Sequence, residues 1–184
     1  MKRPALLLID LQQGFDEPSW GQRNNPSVEA NIARLLAAWR KRSLPVVHVQ
    51  HSSANPDSPL HPDQSGFAFK PEAAPLGGEV VFIKNVNSAF IGTKLESYLH
   101  KHNIGSLVIA GLTTDHCVST TSRMAGNLGF AAQLVSDGTA TFERTDMDGK
   151  HLSADVVHNT HLASLHDEFC TVVTTDAVLA GIHG

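Results

Sequence analysis

Cysteine is scarce in this 184-residue chain: there are two, Cys117 and Cys170. That is too few for a disulfide framework, and C-x-x-C, the spacing of a dithiol redox protein, is absent. Lysine and arginine number 14 against 18 aspartate and glutamate, a net charge of −4 without any basic run. The electrostatic footprint of a nucleic-acid partner is therefore missing. No stretch approaches the ~20 apolar residues of a membrane span. The opening MKRPALLLID ends its apolar run at Asp10, too early for a secretory leader. No G-x-G-x-x-G follows the first apolar run, which excludes a dinucleotide fingerprint, and H-E-x-x-H is absent. Together these absences predict a cytoplasmic protein with reduced thiols and with neither nucleic acid nor membrane as partner.

What is present is a globular composition, 41% hydrophobic and 17% charged, long enough for one domain over 1–184 with a sizeable core. Ala5–Ile9 is continuously apolar, as in strands covered on both faces. Similar runs at Pro45–Val49, Val80–Ile83, Leu107–Ala110, Ala131–Val135 and Phe169–Val173 predict five more strands. Helices are expected between them, over Ser27–Arg42, Gly92–His102, Val118–Leu128 and from Ser153 to about His166, with a short one over Asp176–Leu179. Alternating strands and helices predict a doubly wound α/β fold, with helices on both faces of a mainly parallel six-stranded sheet. One irregular segment interrupts the pattern. His51–Gly78 holds five prolines and three glycines, a length that suits a functional loop such as a lid or a subunit contact.

In open α/β sheets ligands sit beyond the carboxyl ends of the strands. Asp10 closes the first strand, Lys84 the third, and Cys117 stands just past the fourth, in LVIAGLTTDHCVSTTSR (Leu107–Arg123). A carboxylate, an ammonium and a thiol at one edge suit nucleophilic catalysis. A helix N-terminus and Lys84 would favour a thiolate, and Asp10 can accept its proton and return it to a leaving amine. Backbone N–H groups near Thr113 and Cys117 could serve as an oxyanion hole.

The wording Asp10-x-Gln12, Lys84 followed by NVNSAFIGT (Asn85–Thr93), and GLTTDHCVSTT (Gly111–Thr121) resembles the isochorismatase-like cysteine hydrolase family, from Ala5 to about Leu179. The motif wording is most similar to the streptothricin hydrolase branch, whose members open a lactam. The resemblance implies an Asp10–Lys84–Cys117 triad, a cis peptide at Leu112–Thr113 that aims the Thr113 N–H at the oxyanion, and a sheet in the order 3-2-1-4-5-6. It further implies hydrolysis of a small amide, urea or lactam C–N bond through a thioester, and a homo-oligomer, dimer or tetramer. Nicotinamidases of the family carry an Asp-x-His metal site after the second strand. Gln50, His51, Ser52 and Ser53 stand there instead, which argues against a metal cofactor and against nicotinamide. Isochorismatases proper lack the nucleophilic cysteine, so its presence favours amide over vinyl-ether cleavage. A non-catalytic metabolite-binding module on the same fold is the alternative from another class.

Several side chains are further candidates for substrate contact. Gln12 would touch substrate or cap the turn. Phe15 and Trp20 would wall the pocket or pack on the first helix. Ser88 and Phe90 would face the pocket or a neighbouring subunit. His116 would line the entrance, because adjacent helical residues do not face each other and a dyad with Cys117 is not expected. Asp115 suits the first turn of a helix, and Cys170 a structural place. His51 and His61 read as solvent-facing, and His158 and His161 as a solvated helix face.

Overall fold

The computed structural model describes residues 4–182; residues 1–3 and 183–184 of the expected 1–184 domain lie outside the described residues. Six parallel strands form the sheet: β1 (Ala5–Ile9), β2 (Val46–His51), β3 (Val80–Lys84), β4 (Ser106–Leu112), β5 (Ala131–Ala140) and β8 (Thr171–Val173). Their order is β3-β2-β1-β4-β5-β8. A short antiparallel pair, β6 (Arg144–Thr145) with β7 (His151–Leu152), accounts for the two intervening numbers. The expected order therefore holds once this pair, too short to leave a periodic signal, is counted.

Alternation along β1 divides the core. Ala5, Leu7 and Ile9 pack beneath α2 (Leu95–Lys101), α3 (Ser119–Asn127) and α4 (Ala154–Leu165). Leu6 and Leu8 face α1 (Val28–Lys41) and α5 (Thr175–Ile182). The stripe of α1 at Val28, Ile32, Leu35, Leu36 and Trp39 is buried, which at helical spacing directs one face to the sheet. Helix α4 starts on the expected cap, with Ser153 Oγ accepting from the Val156 N–H. Helix α2 is shorter than expected, beginning at Leu95 rather than Gly92. Strand β5 is longer, running on through Ser136 and Asp137 to Ala140, because the register with β4 shifts between Ile109 and Gly111.

At that shift Gly111 has φ +133°, and a Cβ there would stand 2.1 Å from the Ile9 carbonyl oxygen. Only glycine lets β4 and β1 approach so closely. The long segment after β2 is folded back onto the loop after β1: Gln12 pairs with Phe69 in an antiparallel bridge. Its Lys70 is buried against Asp16 and Glu29. Among the described residues no helix is long and apolar enough to cross a membrane.

Candidate active site

The site lies beyond the carboxyl ends of β1, β3 and β4. Parallel register brings Ile9 beside Gly111 and His51 beside Lys84, so the residues that close these strands share one edge. Asp10 takes the left-handed conformation, φ +50°, as the chain leaves β1. The Leu112–Thr113 peptide is cis. Beyond it the chain makes a wide turn of π geometry over Thr114–Val118 before α3 begins at Ser119. Cys117 thus sits within a π turn, a feature frequent at functional sites, and the regular helix begins at Ser119, one residue later than the sequence pattern predicts.

Lys84 is the hub. Its Nζ donates to Asp10 Oδ2 at 2.7 Å and to Cys117 Sγ at 3.3 Å, and lies 3.0 Å from His51 Nδ1. The ammonium has three N–H groups, and three acceptors stand around it. A carboxylate oxygen of Asp10, a ring nitrogen of His51 and the Cys117 sulfur lie within 4.8 Å of one another. That trio has the donor types of a metal site, but the lysine nitrogen is within 3.3 Å of an atom of each. A metal ion there would face the ammonium at close range, so the donor set fits Lys84 better than a metal ion.

Asp10 Oδ1 is buried and has no hydrogen-bond partner among the described residues. An orphaned carboxylate oxygen beside a thiol is an open acceptor for its proton, the kind of exception that calls for a functional account. Burial pushes the Asp10 carboxyl up, against the opposing pull of Lys84. Burial also pushes the Cys117 thiol up to about 12, the Asp10 charge adding to the rise and Lys84 opposing it. The thiolate expected from a helix end and a lysine is therefore not the resting form. Desolvation outweighs both, and the resting sulfur carries its proton. Burial, with the Lys84 charge second, holds His51 down to about 4, so its ring is neutral.

Above the sulfur is a cavity of about 120 Å³, lined by Asp10, Phe15, Trp20, His51, Leu60, Asn87, Thr113, His116 and Cys117. The Phe15 and Trp20 rings are 5.2 Å apart and Phe142 backs the indole at 5.7 Å. Asn87 Oδ1 is 3.9 Å from Sγ. Of the substrate-contact candidates the structure brings Phe15, Trp20 and His116 to the cavity. It does not bring Gln12, Ser88 or Phe90. Gln12 is fully buried and its amide is spent on main chain, donating to the His51 and Phe67 carbonyls and accepting from the His51 N–H. Ser88 Oγ accepts from the Phe90 N–H. Phe90 stacks on Phe130 in the core. His116 is half-exposed and 3.4 Å from Asp115, whose carboxylate also takes Thr141 and Arg144.

Two histidines depart from the expected solvent-facing places. His158 is buried beneath the π turn, with Nδ1 2.8 Å from Thr114 Oγ1. His51 belongs to the site because the β2–β3 register sets it beside Lys84, and that register is the signal a reading of isolated strands passes over. Asn87 and Leu60 lie on irregular loops and left no periodic signal. Cys170 is a buried free thiol in the core, away from the cavity.

Comparison with known proteins bears on all of this. The family model of the isochorismatase domain matches residues 4–177. The uncharacterized isochorismatase family protein YrdC of Bacillus subtilis is 47% identical over 178 residues, covering 97% of this chain and 95% of its own. The maleamate amidohydrolase of Pseudomonas putida is 31% identical over 153 residues, covering 74% of this chain and 71% of its own. A crystal structure of an isochorismatase-family protein from Chromobacterium violaceum superposes with a TM-score of 0.96 at 50% identity, covering 98% of this chain and 94% of that one.

Proposed function

The chain belongs to the isochorismatase family, and from that footing we propose that it is a cysteine hydrolase of a small amide, urea or lactam C–N bond. The observation that carries the proposal is one buried ammonium, Lys84, bonded at once to a carboxylate and to the sulfur. The similarity to an amidohydrolase of maleamate supports the bond type.

The geometry supports one order of proton movements. Sγ attacks the substrate carbonyl carbon as its proton passes to Asp10, so the thiol need never ionise in advance. The carbonyl electrons move onto oxygen, where the main-chain N–H groups of Thr113 and Cys117 are the proposed donors, each worth about 3–4 kcal/mol to the transition state. Collapse breaks the C–N bond, Asp10 returns the proton to nitrogen, and the amine or ammonia leaves a thioester on Cys117. Water, giving a proton to Asp10, then cleaves the thioester and restores the thiol. Lys84 stays charged throughout, holding the carboxylate and the sulfur together.

An ammonia- and amine-release screen over small amides, ureas and lactams, with Cys117→Ala as the blank, tests the reading. Turnover that survives in Cys117→Ala, or a trapped acyl adduct mapping to Cys170 alone, would remove it. A homo-oligomer is part of the same proposal. The free edge β3 leaves Val81 and Ile83 exposed, with Val86 and Ile91 beside them, an apolar edge of the kind a second copy covers. Light scattering should give a multiple of 19.8 kDa, reduced to one by Val81→Lys with Ile83→Lys.

A further inference from the structure

We propose that His51 is a fourth working member of this site, accepting the third N–H of Lys84 at Nδ1 and presenting an N–H at Nε2 to an oxygen of the substrate. The inference rests on the hydrolase reading above and extends it to substrate orientation.

Three observations carry it. The first is a count of donors and acceptors. Lys84 has three N–H groups, two of which go to Asp10 and Cys117. His51 Nδ1, at 3.0 Å, can meet an ammonium only as an acceptor. A neutral imidazole whose Nδ1 accepts must carry its proton on Nε2, and burial beside Lys84 keeps the ring neutral. The tautomer is thereby fixed by the lysine.

The second is that Nε2 has no partner among the described residues, although the ring borders the cavity that holds Cys117. A donor left open at a reaction cavity faces whatever the cavity admits. Besides Asp10, Cys117 and His51 itself, the polar residues of the lining are Asn87, Thr113, the half-exposed His116 at the mouth, and Trp20, whose indole N–H is spent on the Gly14 carbonyl. A carbonyl or ureido oxygen of a small planar amide offers the lone pair that an Nε2–H requires, and the same contact turns the amide carbon towards the sulfur.

The third is the care taken over where His51 sits. Gln12, wholly buried, grips both of its main-chain groups, accepting from the His51 N–H at 2.8 Å and donating to its carbonyl at 3.0 Å. This accounts for Gln12, which the sequence leaves between substrate contact and a turn cap and the structure spends on His51. A buried side chain spent on one residue's main chain fixes that residue, as a supporting shell does for a reactive one.

Two measurements test the proposal. In uniformly ¹⁵N-histidine-labelled protein, long-range proton–nitrogen correlations, assigned with His51→Asn, should show Nδ1 bare and Nε2 protonated between about pH 8 and pH 5. Protonation on Nδ1 at neutral pH would overturn the proposal without any reference to activity. Kinetics then separate the two contacts. His51→Asn sets an amide oxygen where Nδ1 stood and lacks the far donor, so KM should rise ~tenfold with kcat nearly kept, the loss of one hydrogen bond. His51→Gln reaches the far position and lacks the near acceptor, so kcat should fall ~tenfold with KM nearly kept. Both variants within twofold of an active wild type in kcat and KM would overturn the role. A merely structural histidine would lower the melting temperature of both variants and leave this opposite split unmade, which also overturns it. If the wild type itself releases no amine from any small amide, the hydrolase reading fails, and the substrate contact with it; the tautomer still decides the Lys84 contact.

Discussion

Lys84 Nζ lies 2.7 Å from Asp10 Oδ2, and neither side chain has any exposure to solvent. A buried pair of this kind is strongly asymmetric: each charge is tolerable only because the other is there. Lys84→Met should therefore cost about 3–5 kcal/mol, the usual penalty for leaving one charge buried alone. The double variant Asp10→Asn with Lys84→Met should recover most of that loss, because no charge is then stranded. Urea unfolding midpoints read both effects, and equal destabilisation of single and double variants would refute them. Activity should not recover, since Asp10→Asn removes the proton acceptor, a contribution of roughly 10²–10⁴ in rate.

The state of the sulfur has its own signature. With the Cys117 thiol held up to about 12 by burial, only on the order of one molecule in ten thousand carries a thiolate at pH 8. Alkylation of the unliganded protein by iodoacetamide, located at Cys117 by mass spectrometry, should climb about tenfold per pH unit from pH 7 to 10 without levelling. A plateau below pH 8 would mean a preformed thiolate–ammonium pair instead. The proton would then have left before substrate arrives.

The two views of Cys117 show what could be read from sequence and what could not. Strand ends are visible as apolar runs stopping at Asp10, Lys84 and Gly111, and parallel topology then puts them at one edge. Burial depth is not visible in such a run. A helix end and Lys84 do favour the thiolate, but desolvation exceeds them. The pairing of Gln12 with His51 is invisible for a related reason. Their contact joins residues 39 apart, through a loop whose backbone follows no period. Helical spacing predicts a solvated place for His158, yet α4 lies across the π turn and spends that histidine on Thr114. Periodicity reports which face of an element is apolar; it says nothing of a polar side chain recruited inward by a hydrogen bond.

Acid should loosen the fold through His51. Its ordinary histidine value of 6.5 is lowered to about 4 in the folded protein, so between those two values the unfolded chain binds more protons than the native one. Stability then falls as pH drops from about 6.5 towards 4 and is fully present above that window. Because the ring is only partly buried, the share assigned to it is about 1–2 kcal/mol after discounting for solvent. Burial lowers His48 and His158 in the same direction, so the measurement is a difference. The pH slope of the urea midpoint in His51→Asn should be shallower than in the wild type over pH 4–6.5, and identical slopes would refute the assignment.

Substrate charge is the last test, and it follows from how the cations are used. No lysine or arginine lines the cavity, and Lys84 behind its lining has its three N–H groups committed to Asp10, His51 and Cys117. The His51 ring is neutral, and at the mouth His116 lies 3.4 Å from the Asp115 carboxylate. An acidic substrate would therefore bring its carboxylate towards Asp10 without a free ammonium or guanidinium to receive it. The cavity, about 120 Å³, has room for roughly four water volumes, and the Phe15 and Trp20 rings make its apolar wall. Butyramide and succinamate form a matched pair, alike in length and reacting group and different in one terminal charge. An unpaired charge in such a setting costs at least ~1.4 kcal/mol, a factor of ten, so kcat/KM for butyramide should exceed that for succinamate by tenfold or more at pH 7.5. Preference for succinamate would mean that a cation outside the cavity lining reaches the bound substrate, and Arg144, held to Asp115 at 2.9 Å beside the entrance residue His116, would be the side chain to replace with methionine.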